Sequence, residues 1–207
     1  HHLLMDYAEP RWMLVMGQII SYAAGFPVFL VTAYGVLTNI HRSGMRWKMP
    51  SMLAVLALFG WAAGIVPAII DGTISVNRVM HNTQWVPGHF HFYLLLGVLP
   101  MALALMFHVV GRRAAAPPNS SVDRLGFPVY LIGGLIFTLA FLDAGHDSVA
   151  RRMATHLPAW QYTDKIGSIG AMLVVLGMLY FAIRITAGLL KAAAREGPDG
   201  GAANAPH

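Results

Sequence analysis

Cysteine is absent from the 207 residues, which removes disulfides, thiolate metal sites, CxxC redox motifs and a cysteine nucleophile together. Charge is also scarce. Only 11% of the chain is Asp, Glu, Lys or Arg, against about 25% in soluble domains. With 57% hydrophobic residues and a mean hydropathy of +0.58, the chain lacks the polar surface to face water all round. These shortages exclude a soluble globular domain and indicate a membrane protein. The net charge of +5 does not indicate nucleic acid, because the basic residues stand in short clusters between apolar runs, as loops beside a membrane do. Ten histidines remain as the candidate metal ligands.

A helix needs about 20 mostly apolar residues to cross the hydrocarbon core. Five runs meet that length: 12–40, 50–71, 89–111, 126–144 and 166–190. They are too long and continuous for barrel strands, so the expected fold is all-α, an integral membrane bundle of five transmembrane helices. Gly25 and Pro27 lie mid-way in the first run and predict a tilt or kink rather than two spans. Residues 1–195 are read as the membrane part. Residues 196–207, rich in Ala, Gly and Pro without apolar period, are read as a disordered cytoplasmic tail.

Five spans put alternate loops on opposite sides. Arg42, Arg46, Lys48, Arg112, Arg113, Arg124, Lys191 and Arg195 share one side and outnumber Arg11, Arg78, Arg151, Arg152 and Lys165 on the other. The positive-inside rule then predicts a cytoplasmic C-terminus and an outside N-terminus. Residues 1–10, 72–88 and 145–165 share the outer face. The chain opens on His1-His2 rather than Met, which is expected either of a piece of a longer protein or of a tag remnant, the second being weaker because two histidines bind no resin and no linker follows.

The densest cluster of reactive side chains is His81-Asn-Thr-Gln-Trp-Val-Pro-Gly-His89-Phe-His91, entering the third span from outside. Pro87 and Gly88 suit a loop turning into a helix, with both later histidines in its first turn. A helix rotates about 100° per residue, so His89 and His91 project about 200° apart. They face opposite flanks, and each can ligate a separate planar cofactor. The plain alternative is a pair of interfacial histidines at a helix start. Arg151-Arg152 lies in the outer loop between the fourth and fifth spans. Adjacent guanidinium forks there ask for an anionic partner, either a carboxylate such as a haem propionate or a lipid phosphate.

On the first span, taking Gln18 as zero, Ser21 falls near about −60°, Tyr22 near about +40° and Thr32 near about −40°, with Gly25 between them. This stripe suits helix packing first, and a water or proton path second.

The 81–91 motif resembles the tenth-helix motif of subunit I of the haem-copper oxidases, and most closely the B-type members. His1-His2 resembles that subunit's adjacent copper-ligand histidines, and Arg151-Arg152 resembles the arginine pair that holds haem propionates. The resemblance covers essentially the whole chain, as the C-terminal five helices of a subunit with twelve or more.

It implies two haems and copper B. His89 is then the proximal ligand of the high-spin haem, His91 a ligand of the low-spin haem, and His1 and His2 two of three copper ligands. His81 and Asn82 approach a propionate of the high-spin haem, with Arg151 and Arg152 above. Ser21 and Tyr22 gain weight as a proton path, with Thr32 on the same stripe. Some B-type relatives carry an acid where this chain has Asn77, which puts a carboxylate-dependent role there in doubt; Asp71 is not far along the chain.

The implied partners are the upstream helices of subunit I, a subunit II that delivers electrons, cytochrome c or quinol as donor, and the lipid membrane, presumed to be a prokaryotic plasma membrane. The third copper histidine, the tyrosine tied to it and the second low-spin ligand belong upstream in the family, so the chain alone is expected to be inactive. Nitric oxide reductases share the His-x-His pair, but Trp85-Val86-Pro87-Gly88 favours oxygen as substrate. A non-enzymatic membrane haem carrier using His89 and His91 is the alternative of another class. It needs a second histidine per haem at the outer end of another span.

Overall fold

A computed structural model describes residues 8–114 and 123–196. Among them the regular elements are all helical. The elements are α1 (Arg11–Ser43), α2 (Met49–Gly72), α3 (Ile74–Met80), α4 (Trp85–Tyr93), α5 (Leu99–Arg113), α6 (Asp123–His146) and α7 (Gln161–Glu196). A π-turn, Leu94–Val98, joins α4 to α5, and a 3-10 turn, Pro158–Trp160, leads into α7. With α4 and α5 counted as one, five helices are long and apolar enough to cross a membrane. The expected number is therefore met, and the protein is an integral membrane protein.

Local chemistry sets most boundaries. Gly44 takes the left-handed conformation (φ 56°) that ends α1, a geometry glycine adopts without the Cβ penalty. Pro50 sits in the first turn of α2, where its missing N–H costs nothing. Ser51 Oγ accepts from the Lys48 N–H at 2.9 Å and closes that end. Pro27 lies inside α1 without dividing it.

The third span starts at Trp85 rather than at residue 89. This places His89 and His91 in its second turn, a correction to the expected first turn. The helix continues four residues upstream because Thr83 Oγ1 accepts the Trp85 N–H at 3.3 Å. The short α3 in the outer loop and the π-turn are also additions to the sequence expectation. Helix α7 runs through Glu196, past the expected limit of 190, and residues 197–207 lie outside the described residues.

The core is built where α2, α4, α5, α6 and α7 meet: Leu53, Leu56, Phe92, Leu96, Phe107, Tyr130 and Phe181 are all buried. Helices α6 and α7 run antiparallel at close range. A Cβ on Gly133 would stand 2.6 Å from Leu173 Cβ, and one on Gly177 would stand 2.7 Å from Tyr130 Cβ. Small residues thus let two backbones approach where lipid offers no hydrophobic drive. Helix α1 contributes no buried residue and lies on the flank of α2.

The π-turn has an identifiable cause. The Leu99 N–H bonds to Leu94 O, five residues back, so Leu95 O loses its α-helical donor. The next candidate donor would be residue 100, but Pro100 has no N–H. Tyr130 Oη on α6, fully buried, donates to Leu95 O at 2.5 Å and supplies the missing bond. Leu96 is wedged between two glycines: a Cβ on Gly60 would stand 2.0 Å from Leu96 O, and one on Gly134 would stand 2.7 Å from Leu96 Cδ2.

Candidate functional site

The end of the bundle at which α4 begins is organised by two loops joined through their backbones. The Gln84 N–H donates to Val149 O (2.8 Å) and the Arg151 N–H to Asn82 O (2.9 Å), around an antiparallel bridge between Thr83 and Ala150. Arg151 Nη2 also donates to Asn82 Oδ1 at 3.4 Å. Residues 82–84 and 149–151 therefore form one rigid piece. Ser148 (φ 62°) and Arg152 (φ 67°) take left-handed backbone to make the turn. Gly145 lies so close to the start of α4 that a Cβ there would stand 2.1 Å from Trp85 N.

This piece carries the arginine pair over the histidines. Gln84, Pro87, His89, Phe90, Arg151 and Arg152 line a cavity of about 510 Å³. His89 also opens onto a second cavity of about 580 Å³, walled by Ser21, Gly25, Ile65, Asp71 and Tyr93. Each lies in the range of about 300–1,000 Å³ usual for ligand sites.

His91 turns the other way, toward α6. Its ring lies parallel to Phe141 (3° between planes, centroids 5.4 Å) and edge-on to Phe137 (5.3 Å). Its Nδ1 lies 2.6 Å from Pro87 O. A carbonyl only accepts, so the proton is on Nδ1 and the Nε2 lone pair is left for a ligand bond. The two rings thus lie on opposite flanks of one helix, one toward α1 and α2 and one toward α6.

His1 and His2 lie outside the described residues. Among the described residues no group of three or more His, Asp or Glu is close enough to hold a bare metal ion. His81 is buried at the end of α3, and its N–H donates to Asn77 O at 2.8 Å. Asn82 is engaged with Arg151. Of the α1 stripe, Ser21 lines the His89 cavity, while Tyr22 Oη bonds Thr73 Oγ1 at 2.5 Å and Gln18 Oε1 accepts the Ile74 N–H at 3.0 Å. Thr32 is half-buried further along.

His146 is the last residue of α6 and pairs with Asp147 at 3.3 Å. A histidine therefore stands at the end of another span, on the side of the bundle where α4 begins. His156 is held by both oxygens of Asp164 at 2.8 and 2.9 Å.

Asp71, which the sequence offers only as an acid not far from Asn77, stands in the site. It is 1% exposed, and Asn77 Nδ2 donates both to its Oδ1 (2.9 Å) and to its backbone O (2.6 Å). The one signal in the sequence is an acid closing an apolar run.

The family model described as "Cytochrome C and Quinol oxidase polypeptide I" matches residues 1–179. The chain belongs to this family. Oxidase relatives include cytochrome c oxidase subunit 1 of Thermus thermophilus, 26% identical over 73% of this chain and 30% of that protein. A probable quinol oxidase subunit 1 of Staphylococcus haemolyticus is 24% identical over 78% of this chain and 25% of that protein. The chain thus spans between a quarter and a third of the length of these relatives. Among solved structures, a heme-copper terminal oxidase dimer studied by cryo-EM matches with a TM-score of 0.77 at 19% identity, over 91% of this chain and 38% of that one. The oxidase fold accordingly agrees with the all-α membrane bundle derived from the apolar runs.

Family membership implies haem and copper, and the described residues fit haem. His91 presents a free Nε2, the 580 Å³ cavity beside His89 is walled mainly by apolar side chains, and the 510 Å³ cavity carries two guanidinium groups. Arg151 Nε is buried without a hydrogen-bond partner among the described residues. Such an orphaned donor suits an anionic group such as a propionate.

Proposed function

We propose that the chain forms the C-terminal five helices of subunit I of a B-type-like haem-copper terminal oxidase, which reduces oxygen to water with electrons from cytochrome c or quinol. The reading includes proton uptake and pumping in a prokaryotic plasma membrane, with the N-terminus outside and the C-terminus in the cytoplasm. The observation that carries it is the placement of His89 and His91 on opposite flanks of one helix beneath an arginine pair stitched to the same motif.

In this reading His89 holds the high-spin haem iron, His91 the low-spin haem iron, and His1 and His2 two of the three positions on copper B. These groups supply the redox chemistry when bound. The chain's own residues position and insulate them. Pro87 O fixes the His91 tautomer, and Phe137 and Phe141 hold its ring in place. The fork of Arg151 and its neighbour Arg152 neutralise propionate charge at the outer rim, with His81 and Asn82 beneath. Tyr93 and Ile65 keep water from the His89 flank. Proton entry follows the α1 stripe of Thr32, Tyr22 and Ser21, of which Ser21 reaches the His89 cavity. The remaining helices of subunit I and a subunit II complete the site.

The test is metal and haem analysis of the complex purified from its native membrane through this chain, with a reduced-minus-oxidised spectrum. Two haems and copper with co-purifying upstream helices are expected, and the 207-residue chain alone consumes no oxygen. Haem without copper would favour the membrane haem carrier, and absence of both would overturn the reading.

A further inference from the structure

One buried carboxylate has no part in the mechanism above. Asp71 ends α2 inside the bundle, with only 1% of its surface exposed. Burying a carboxylate is expensive unless it meets compensating groups, and part of the compensation is built in. Asn77 Nδ2 clamps the Asp71 Oδ1 and backbone oxygen together, which fixes the carboxyl in one place. Its electrostatic neighbours are His89, His81 and Arg151. Asp71 and His89 also share the wall of the 580 Å³ cavity. On the far side of α4, no part of the His91 nook includes Asp71: that ring packs against Phe90, Phe137 and Phe141.

We infer that Asp71 is a positioning residue, a fixed negative charge held by Asn77 that offsets Arg151 and stabilises the oxidised iron at His89 more than the iron at His91. The inference rests on the reading of His89 and His91 as ligands of separate haems. The physics is Coulombic. Oxidised haem carries one more positive charge than reduced haem, so a carboxylate nearby in a low-dielectric setting favours the oxidised form and lowers the midpoint potential. The asymmetry follows from the helix: the carboxylate stands on the His89 flank, and the body of α4 separates it from His91. Arg151 and Arg152 act in the opposite sense from above. Asp71 thus sets the potential gap between the two haems, the driving force for electron transfer from one to the other.

Potentiometric titration of the purified complex, read at the high-spin and low-spin absorption bands, tests this on wild type, Asp71→Asn and Asp71→Glu. Asp71→Asn keeps the size and the hydrogen bond to Asn77 but loses the charge. Its high-spin potential is expected to shift positive with both haems present, its low-spin potential to move less, and Asp71→Glu to return toward wild type. Equal potentials in wild type and Asp71→Asn overturn the inference while leaving the ligand assignment intact. A high-spin signal that survives His89→Ala overturns the assignment itself. If Asp71→Asn does not assemble, Asn77→Leu decides, because it keeps the carboxyl and removes its clamp. A changed high-spin potential there supports the inference, and an unchanged one overturns it.

Discussion

Arg152 combines a left-handed backbone with a long charged side chain, two features with opposite consequences. For a residue with a Cβ the left-handed region costs roughly 1–2 kcal/mol, and the φ of 67° is imposed by the turn that meets residues 82–84. Arg152→Gly is therefore expected to leave the melting temperature of the complex within a few degrees of wild type, strain relief offsetting glycine's larger unfolded-state entropy. Haem retention in detergent should fall, because one guanidinium is gone. A large loss of thermal stability would contradict this. At the same scale, His91→Ala should remove the low-spin haem signal and His89→Ala the high-spin one, each leaving the other band in the spectrum. Opposed facing of these rings was legible in the sequence because both lie in the unbroken stretch Trp85–Tyr93, where the 100° rule applies without interruption. Asp71 was not legible, because its burial depends on α3 folding Asn77 back over it, and α3 has seven residues, too few for a period to show.

Between helices, stability at the π-turn hangs on one hydroxyl. Tyr130→Phe removes the donor to Leu95 O and leaves a buried carbonyl unpaired, a cost of about 1–3 kcal/mol. Thermal unfolding of the complex should drop accordingly, with the two haem bands intact in the fraction that remains folded. Gly60→Ala is expected to be more severe, since its Cβ would fall 2.0 Å from Leu96 O and the neighbour is backbone. Helix α2 and the π-turn would have to separate, and the yield of assembled complex measures the effect. Neither contact was readable in advance. Pro100 advertises a missing N–H, but whether the helix answers with a kink or a π-turn depends on what stands opposite, and Tyr130 lies 35 residues from Leu95 in sequence.

For the whole molecule, the apolar runs were enough to give the number and order of spans, because lipid imposes both length and internal hydrogen bonding on each of them. Burial is uneven across these spans: the hydropathic window of α1 is 0% buried within this chain, while that of α2 is 44% buried. In detergent, α1 amides of the chain expressed alone should exchange with solvent faster than those of α6 and α7. Protection of α1 should rise when the helices that complete the subunit are co-expressed; equal exchange rates in all spans would contradict this. The π-turn has one more consequence, which concerns length rather than composition. It places one extra residue in the turn at 94–98, so the outer half of the third span is out of phase with the inner half by about 100° relative to a plain α-helix. Deleting a single residue there would shorten the span by only about 1.5 Å and barely alter its hydropathy. It would nonetheless swing the whole His89–His91 face away from α2 and α6. Alignments of this span therefore carry information in their gaps: an insertion or deletion at 94–98 re-indexes the histidines, whereas a substitution there does not.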